Sequence, residues 1–209
     1  MAVTPSFQTG LFDQGPATID PTLLSRGLRR IDLDSSAWVD HLPGWVAGHA
    51  TLMHQLLAAM RWQQQRRVMY DRTVDVPRLT ASIPEDGPLP PLLARIRDVV
   101  SAHYGTEFPR VSLAYYRDGS DGVAWHGDTV ARELPEALVA TVSLGEPRRF
   151  LLRPTAGGRS VAFSLGWGDL LVMGGSCQRT WQHAIPKVAR ALPRIAVMFR
   201  PVWFKPPRG

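Results

Sequence analysis

A chain of 209 residues that is 44% hydrophobic and 20% charged carries enough apolar surface for one well-filled core, which excludes a wholly disordered or fibrous protein. Its single cysteine, Cys177, excludes an internal disulfide and a thiolate metal cluster, so any metal must be held by His, Asp or Glu. The net charge of +6 favours a polyanionic partner, because clustered cations concentrate phosphates and release counterions on binding.

Of the 24 basic residues only Lys187 and Lys205 are lysines. Arginine, with its forked donors, suits phosphate and carboxylate, although a GC-rich coding bias accounts for the same excess. The longest apolar runs, such as "DLLVMGG", are too short to span a bilayer, and no basic region with an apolar signal core opens the chain. A cytoplasmic, monomeric protein without membrane contact is the expectation.

Residues 1–30 mix Pro, Gly, Thr and Asp without a period and read as a loosely packed arm ahead of one domain over residues 31–209. Leu52, Met53, Leu56, Leu57 and Met60 fall on one face of a helix expected over residues 45–64. A second helix is expected from Pro90 to Tyr104, where Leu92, Ile96 and Val99 or Val100 repeat, Pro91 suits a first turn and Gly105 a stop. After Gly105 come short strand-like runs, "RVSLAYY", "ALVATVSL", "RRFLLRP", "RSVAFSL", "DLLVMGG", "TWQHAIP" and "RIAVMFRP", separated by Gly, Pro or Asp turns. This spacing predicts an antiparallel sandwich or barrel. The fold class is mixed α+β, mainly β: two N-terminal helices support a jelly roll over residues 105–203.

His126 and Asp128 stand at i and i+2, so on a strand they share a face. His183 lies on a late strand of the same barrel. Two imidazoles and a carboxylate on one face of an iron leave open positions for a cosubstrate and O2. By itself the pair is weak evidence in a chain with six histidines. Arg194 and Arg200, six apart on the closing strand, share a face and supply the fork that a dicarboxylate needs.

These residues together resemble the AlkB family of Fe(II)- and 2-oxoglutarate-dependent dioxygenases. "YYRDGSDGVAWHGD" resembles the lead-in to that family's metal strand, "SLGEPRRFLLRP" its next hairpin, "LGWGDLLVMGGSCQRTWQHAIP" the segment ending in its distal ligand, and "PRIAVMFRP" its closing strand. The resemblance is strong over residues 108–203 and loose over 31–100. It implies a double-stranded β-helix and makes His126, Asp128 and His183 the iron ligands. It further implies that Arg194 binds the distal carboxylate of 2-oxoglutarate with help from Tyr116, and that Arg200 lies near the keto-acid end. The implied activity is oxidative demethylation of alkylated nucleic-acid bases, with Fe(II), 2-oxoglutarate and O2 required and nucleic acid as partner.

Three positions depart from the family pattern. Ala114 and Ala196 stand where asparagines are usual; two lost hydrogen bonds of about 1 kcal/mol each would weaken 2-oxoglutarate binding unless Asp118, Ser120 or water compensates. Val130 stands where the DNA-repair members carry an acidic residue on the base. The segment "VPRLTASIPEDGPLP" looks like a shortened nucleotide-recognition region without its stacking aromatic, for which Trp125, Met69 and Tyr70 are candidates; Trp125 equally suits a core position. Arg66, Arg67, Arg72 and Arg78 could follow phosphates or form a solvated helix end. The same oxygenase chemistry on a protein or small molecule, and a catalytically lapsed nucleic-acid-binding barrel, remain alternatives. His41, His49, His54 and His103 read as surface or packed residues outside the barrel.

Overall fold

A computed structural model describes residues 15–69, 72–128 and 136–201, with side chains omitted for 66–69 and 72–75. In chain order the elements are β1 (Thr18–Ile19), α1 (Thr22–Gly27), β2 (Arg29–Asp32), β3 (Ala37–Leu42), β4 (Val46–Ala47), α2 (His49–Ala59), β5 (Gln63–Met69), β6 (Arg72–Ile83), α3 (Pro91–Tyr104) and β7 (Arg110–Tyr116). There follow β8 (Val123–His126), β9 (Val139–Gly145), β10 (Arg148–Pro154), β11 (Val161–Leu165), β12 (Asp169–Gly175), α4 (Cys177–Thr180), β13 (Trp181–Ile185) and β14 (Arg194–Arg200).

The strands form a major sheet in the order β2-β3-β12-β9-β14-β7-β6-β5 and a minor sheet in the order β11-β10-β13-β8, with β1 and β4 paired separately. Every registered pair is antiparallel, the jelly-roll arrangement expected from the spacing of the runs. Strand alternation divides the major sheet's residues between two cores. On β14, Ile195, Val197 and Phe199 pack with Leu52, Leu56, Leu93 and Ile96 of the helices, in one apolar cluster. Ala196 belongs instead to the cluster shared with Phe150, Leu152 and Leu165 of the minor sheet. The helices therefore cover one face of the major sheet, and the space between the two sheets is left for the other.

Three features differ from the sequence reading. The α2 helix starts at His49 rather than residue 45, because Gly48 adopts φ +64 and a Cβ there would lie 2.7 Å from the Gly15 carbonyl. The backbone needs glycine at that turn, so Trp45 and Val46 stay outside the helix and fill the core in extended chain. Nor are residues 15–30 a loose arm: Ile19 and Leu24 are buried in the cluster that holds the helices. The stretch carrying Arg66, Arg67, Arg72 and Arg78, for which a solvated helix end was one reading, and the first part of the segment at 76–90 form instead the β5–β6 hairpin that extends the major sheet. No helix among the described residues is long and apolar enough to cross a membrane.

Candidate metal centre

β8 and β13 pair so that His126 lies directly opposite His183, with ring centroids 4.2 Å apart. Asp128 follows two residues after His126, and the three side chains offer donor atoms that all lie within 4.8 Å of one another. The His126 Nδ1 is 2.8 Å from the Ala124 carbonyl oxygen, the backbone contact that typically fixes the ring of a metal-ligating histidine. Phe150 stacks on His183 with a centroid separation of 5.4 Å. The donor set is that of a non-haem Fe(II) site, two imidazoles and one carboxylate.

The local electrostatics put His183 and Asp128 in their binding forms. Burial, only partly opposed by Asp128, pushes the His183 imidazole down to about 4. Burial pushes the Asp128 carboxyl up, but the charge of Arg200, the two histidines and the Arg200 hydrogen bonds outweigh it and leave it lowered. A neutral imidazole and an ionised carboxylate at neutral pH are what a divalent cation requires. Arg200 holds the carboxylate in place: its Nε donates to Oδ2 at 3.1 Å and its Nη2 to Oδ1 at 3.3 Å, while Nη1 donates to the Ser112 hydroxyl at 2.6 Å.

The His183 shift has a consequence in the metal-free protein. Its folded value lies below the unfolded one, so the unfolded chain binds the extra proton between pH 6.5 and about 4. Stability present above pH 6.5 is therefore lost as pH falls towards about 4, by up to about 3 kcal/mol. Urea denaturation at pH 7 and pH 5 should show the loss, and a His183→Gln variant should lack that component. An unchanged pH dependence in the variant would contradict it.

The ligands border a cavity of about 520 Å³ between the sheets, which Tyr116, Arg194, Arg78, Ala114 and Ala196 also line. Arg194 is 1% exposed. Its Nε donates to the Leu165 carbonyl at 3.1 Å and its Nη2 to the Ser143 hydroxyl at 2.7 Å, while Nη1 is buried without a hydrogen-bond partner. Burial pushes this guanidinium down to about 10. A buried cation with an unfilled donor on a cavity wall is a receptor for a carboxylate. Tyr116 pairs with Arg194 across β7 and β14; burial raises its phenol, against the nearby arginines, so it stays a neutral donor. The residues present thus fit both an iron and a dicarboxylic cosubstrate.

Ala114 and Ala196 face each other across β7 and β14, an apolar floor flanked in register by Thr80 and Ser143. Asp118 and Ser120 do not compensate for the missing amides: the Asp118 carboxylate accepts from the backbone and hydroxyl of Ser120, closing its own turn. Trp125 is a correction to the sequence reading. It is partly buried, neither a core residue nor among those lining the cavity, and the Arg153 guanidinium lies 4.2 Å from its ring centroid. Arg78 does line the cavity, with a buried Nη1 that has no hydrogen-bond partner.

Met69 closes β5 without a described side chain, and Tyr70 and Val130 lie outside the described residues. The side chains of Arg66, Arg67 and Arg72 are likewise outside them. His41 lies on β3 of the major sheet, not beyond the barrel, and packs edge-on against Phe163. Gln178 is buried against the Met173 sulfur and is not on the metal cavity. Ser112 and Ser143 were not singled out from sequence; the parity of "VATVSLG" and "RVSLAYY", counted from Val139 and Tyr116, places them on the ligand side.

A family model described as the 2OG-Fe(II) oxygenase superfamily matches residues 25–200. The chain is similar to the human alpha-ketoglutarate-dependent dioxygenase alkB homolog 3, at 30% identity covering 76% of this chain and 63% of that protein. It is also similar to the human DNA oxidative demethylase ALKBH2, at 33% identity covering 54% of this chain and 46% of that protein. It thus spans less than two thirds of the length of these curated relatives. Among solved structures, OsALKBH1 superposes with a TM-score of 0.59 at 13% identity, covering 83% of this chain and 100% of that one. A 2OG-Fe(II) oxygenase-family oxidoreductase from Burkholderia pseudomallei gives 0.54 at 16% identity, covering 86% and 87%.

Proposed function

The chain belongs to the 2OG-Fe(II) oxygenase superfamily, and on that premise we propose that it is an Fe(II)- and 2-oxoglutarate-dependent dioxygenase that oxidatively demethylates alkylated nucleic-acid bases. The observation that carries this reading is the unfilled, buried donor of Arg194 on the cavity bordered by His126, Asp128 and His183. Support for a nucleic-acid substrate comes from the relatives' names, from the net charge of +6 and from Arg78 on the cavity wall.

Iron, when bound, supplies the oxygen activation that couples decarboxylation of 2-oxoglutarate to hydroxylation of a C–H bond. The chain's residues orient and shield that chemistry. Arg194, held by Leu165 and Ser143, receives the distal carboxylate, and Tyr116 offers a second donor. Arg200 keeps Asp128 ionised and aimed, and Phe150 fixes the His183 ring. The apolar wall of Val139, Phe150 and Ile185 limits water in the cavity. On an N-methyl group the hydroxylated product is a hemiaminal, which collapses to formaldehyde and the unmethylated base. We read residues 31–209 as a single catalytic domain, to whose core Ile19 and Leu24 of the preceding segment contribute, acting as a cytoplasmic monomer.

The test is anaerobic reconstitution with Fe(II) and 2-oxoglutarate, followed by O2 and a methylated oligonucleotide. Succinate and formaldehyde should appear together. Succinate without formaldehyde redirects the substrate to a protein or small molecule, and no succinate leaves only a nucleic-acid-binding barrel. Oligonucleotide affinity should fall steeply with salt, since each phosphate neutralised releases counterions; an affinity flat in salt removes the nucleic-acid partner.

A further inference from the structure

β8 is the least supported ligand-bearing element. Among the described residues it lies at the edge of its sheet and pairs with β13 alone, through two registered positions separated by an irregularity, and none of Val123, Ala124, Trp125 and His126 is fully buried. A short, bulged edge strand does not by itself fix where its side chains stand. The loop that precedes β8 therefore helps to set where His126 stands.

That loop, residues 117–122, is built to be rigid and is docked on the loop that follows β13. Arg117 and Asp121 form a bidentate ion pair at 2.7 and 2.8 Å, and the Arg117 backbone N–H also donates to Asp121 at 2.9 Å. The Val188 backbone N–H donates to the Gly119 carbonyl at 2.9 Å. The two loops touch so closely that a Cβ at Gly119 would lie 2.3 Å from the Val188 carbonyl oxygen, and one at Gly122 would lie 2.7 Å from that of Ile185.

Arg148, at the start of β10, is the one side chain that joins both loops through its hydrogen bonds among the described residues. It is 3% exposed. Its Nη1 donates to the Asp118 carbonyl at 2.9 Å, and its Nη2 donates to the Asp121 carbonyl at 2.9 Å and the Pro186 carbonyl at 2.8 Å. Asp121 precedes β8 by a single residue, and Pro186 immediately follows β13. A buried guanidinium bonded only to carbonyls is costly to desolvate, and an apolar side chain would pack the same space more cheaply. What an apolar residue cannot do is bridge three carbonyls from two loops, and lysine lacks the planar fork.

We infer that Arg148 is a positioning residue for the metal centre, tying the start of β8 to the end of β13 and so setting the separation of His126 and His183. The inference rests on the metal-centre reading for what those two histidines hold.

The experiment titrates Co(II) into the metal-free protein and follows its d–d absorption, with thermal unfolding measured alongside. Arg148→Ala should weaken Co(II) binding about tenfold or more, the usual effect of losing a group that orients metal ligands, and should alter the spectrum. Millimolar guanidinium should restore part of the affinity. The control is Asp40→Asn, which disturbs the Arg30–Asp40–Tyr104 network around the buried Asp40 carboxylate on β3, away from both ligand strands; it should lower the unfolding temperature and leave Co(II) affinity unchanged. Should the alanine variant fail to fold, Arg148→Lys, which keeps the charge and loses the fork, decides by the same readout. A folded Arg148 variant with unaltered affinity and spectrum overturns the inference, as does an equal loss in Asp40→Asn. Failure of the unaltered protein to bind Co(II) overturns the metal-centre reading itself, and this inference with it.

Discussion

Replacing His126 or Asp128 by alanine should reduce succinate formation to background, and the two variants should differ in stability. Each removes one of three donors that lie within 4.8 Å of one another, and a site with two remaining ligands holds a divalent cation too weakly to stay loaded. The difference between them arises from Arg200. In the unaltered protein Asp128 takes two hydrogen bonds from that guanidinium, whose side chain is 16% exposed. Asp128→Ala leaves Arg200 with the Ser112 hydroxyl and the Met198 sulfur among its described partners, a largely buried cation without its carboxylate. That should cost about 2 kcal/mol, less than for a fully enclosed pair because water still reaches it.

His126→Ala removes a partly exposed ring and leaves Asp128 paired with Arg200, so its metal-free form should unfold nearer to wild type. Urea denaturation of the two metal-free variants measures the difference. Both should keep nearly the wild-type affinity for the oligonucleotide, since phosphate contacts do not depend on the iron ligands. Succinate turnover persisting in either variant would remove these residues from the centre; a collapse of folding in His126→Ala would make its role structural.

The β core was legible because its strands announce themselves twice, by β-branched composition and by turns between them. "RVSLAYY" coincides with β7 and "DLLVMGG" with β12 to the residue. The β5–β6 hairpin was not legible: "QQQRRVM" is a polar strand at a sheet edge, held by its pairing with β6 rather than by an apolar face. The start of α2 was misplaced because the apolar pattern extends back through Trp45 and Val46, and only the left-handed backbone at Gly48 stops the helix.

In the site, the ligands and Arg194 followed from their order along the chain and from the family resemblance. Trp125 was left with two readings, a base-stacking residue or a core residue on the alternate strand face, and the structure puts it in neither the core nor the cavity lining. Arg148 could not be read at all. Its partners are backbone carbonyls 27 to 38 residues away, and no side-chain pattern records which carbonyls a fold will bring together.

Arg194→Met should weaken 2-oxoglutarate binding while leaving the stability of the metal-free fold nearly unchanged. Arg194 is 1% exposed, spends two donors on the Leu165 carbonyl and the Ser143 hydroxyl, and keeps Nη1 unfilled. A charge-assisted hydrogen bond to a carboxylate is worth roughly 1.5–3 kcal/mol, so losing the fork should weaken 2-oxoglutarate binding about 10- to 150-fold. The effect should be steep because Ala114 and Ala196, facing each other beside Arg194, offer no side-chain donor to share the load.

The metal-free fold should respond otherwise. Burial already pushes the Arg194 guanidinium down to about 10, the mark of a cation whose desolvation is not fully offset, and a well-packed apolar side chain of similar length removes that cost. Against this stand one carbonyl and one hydroxyl left without a donor, about 1 kcal/mol each. The net change in unfolding free energy should therefore lie within about 1 kcal/mol of zero. Isothermal titration of 2-oxoglutarate into the Mn(II)-loaded protein and urea denaturation of the metal-free protein measure the two sides. Equal losses in both would make Arg194 a structural residue, and an unchanged 2-oxoglutarate affinity would move the distal carboxylate to another cation on the cavity, of which Arg78 is the nearest in kind.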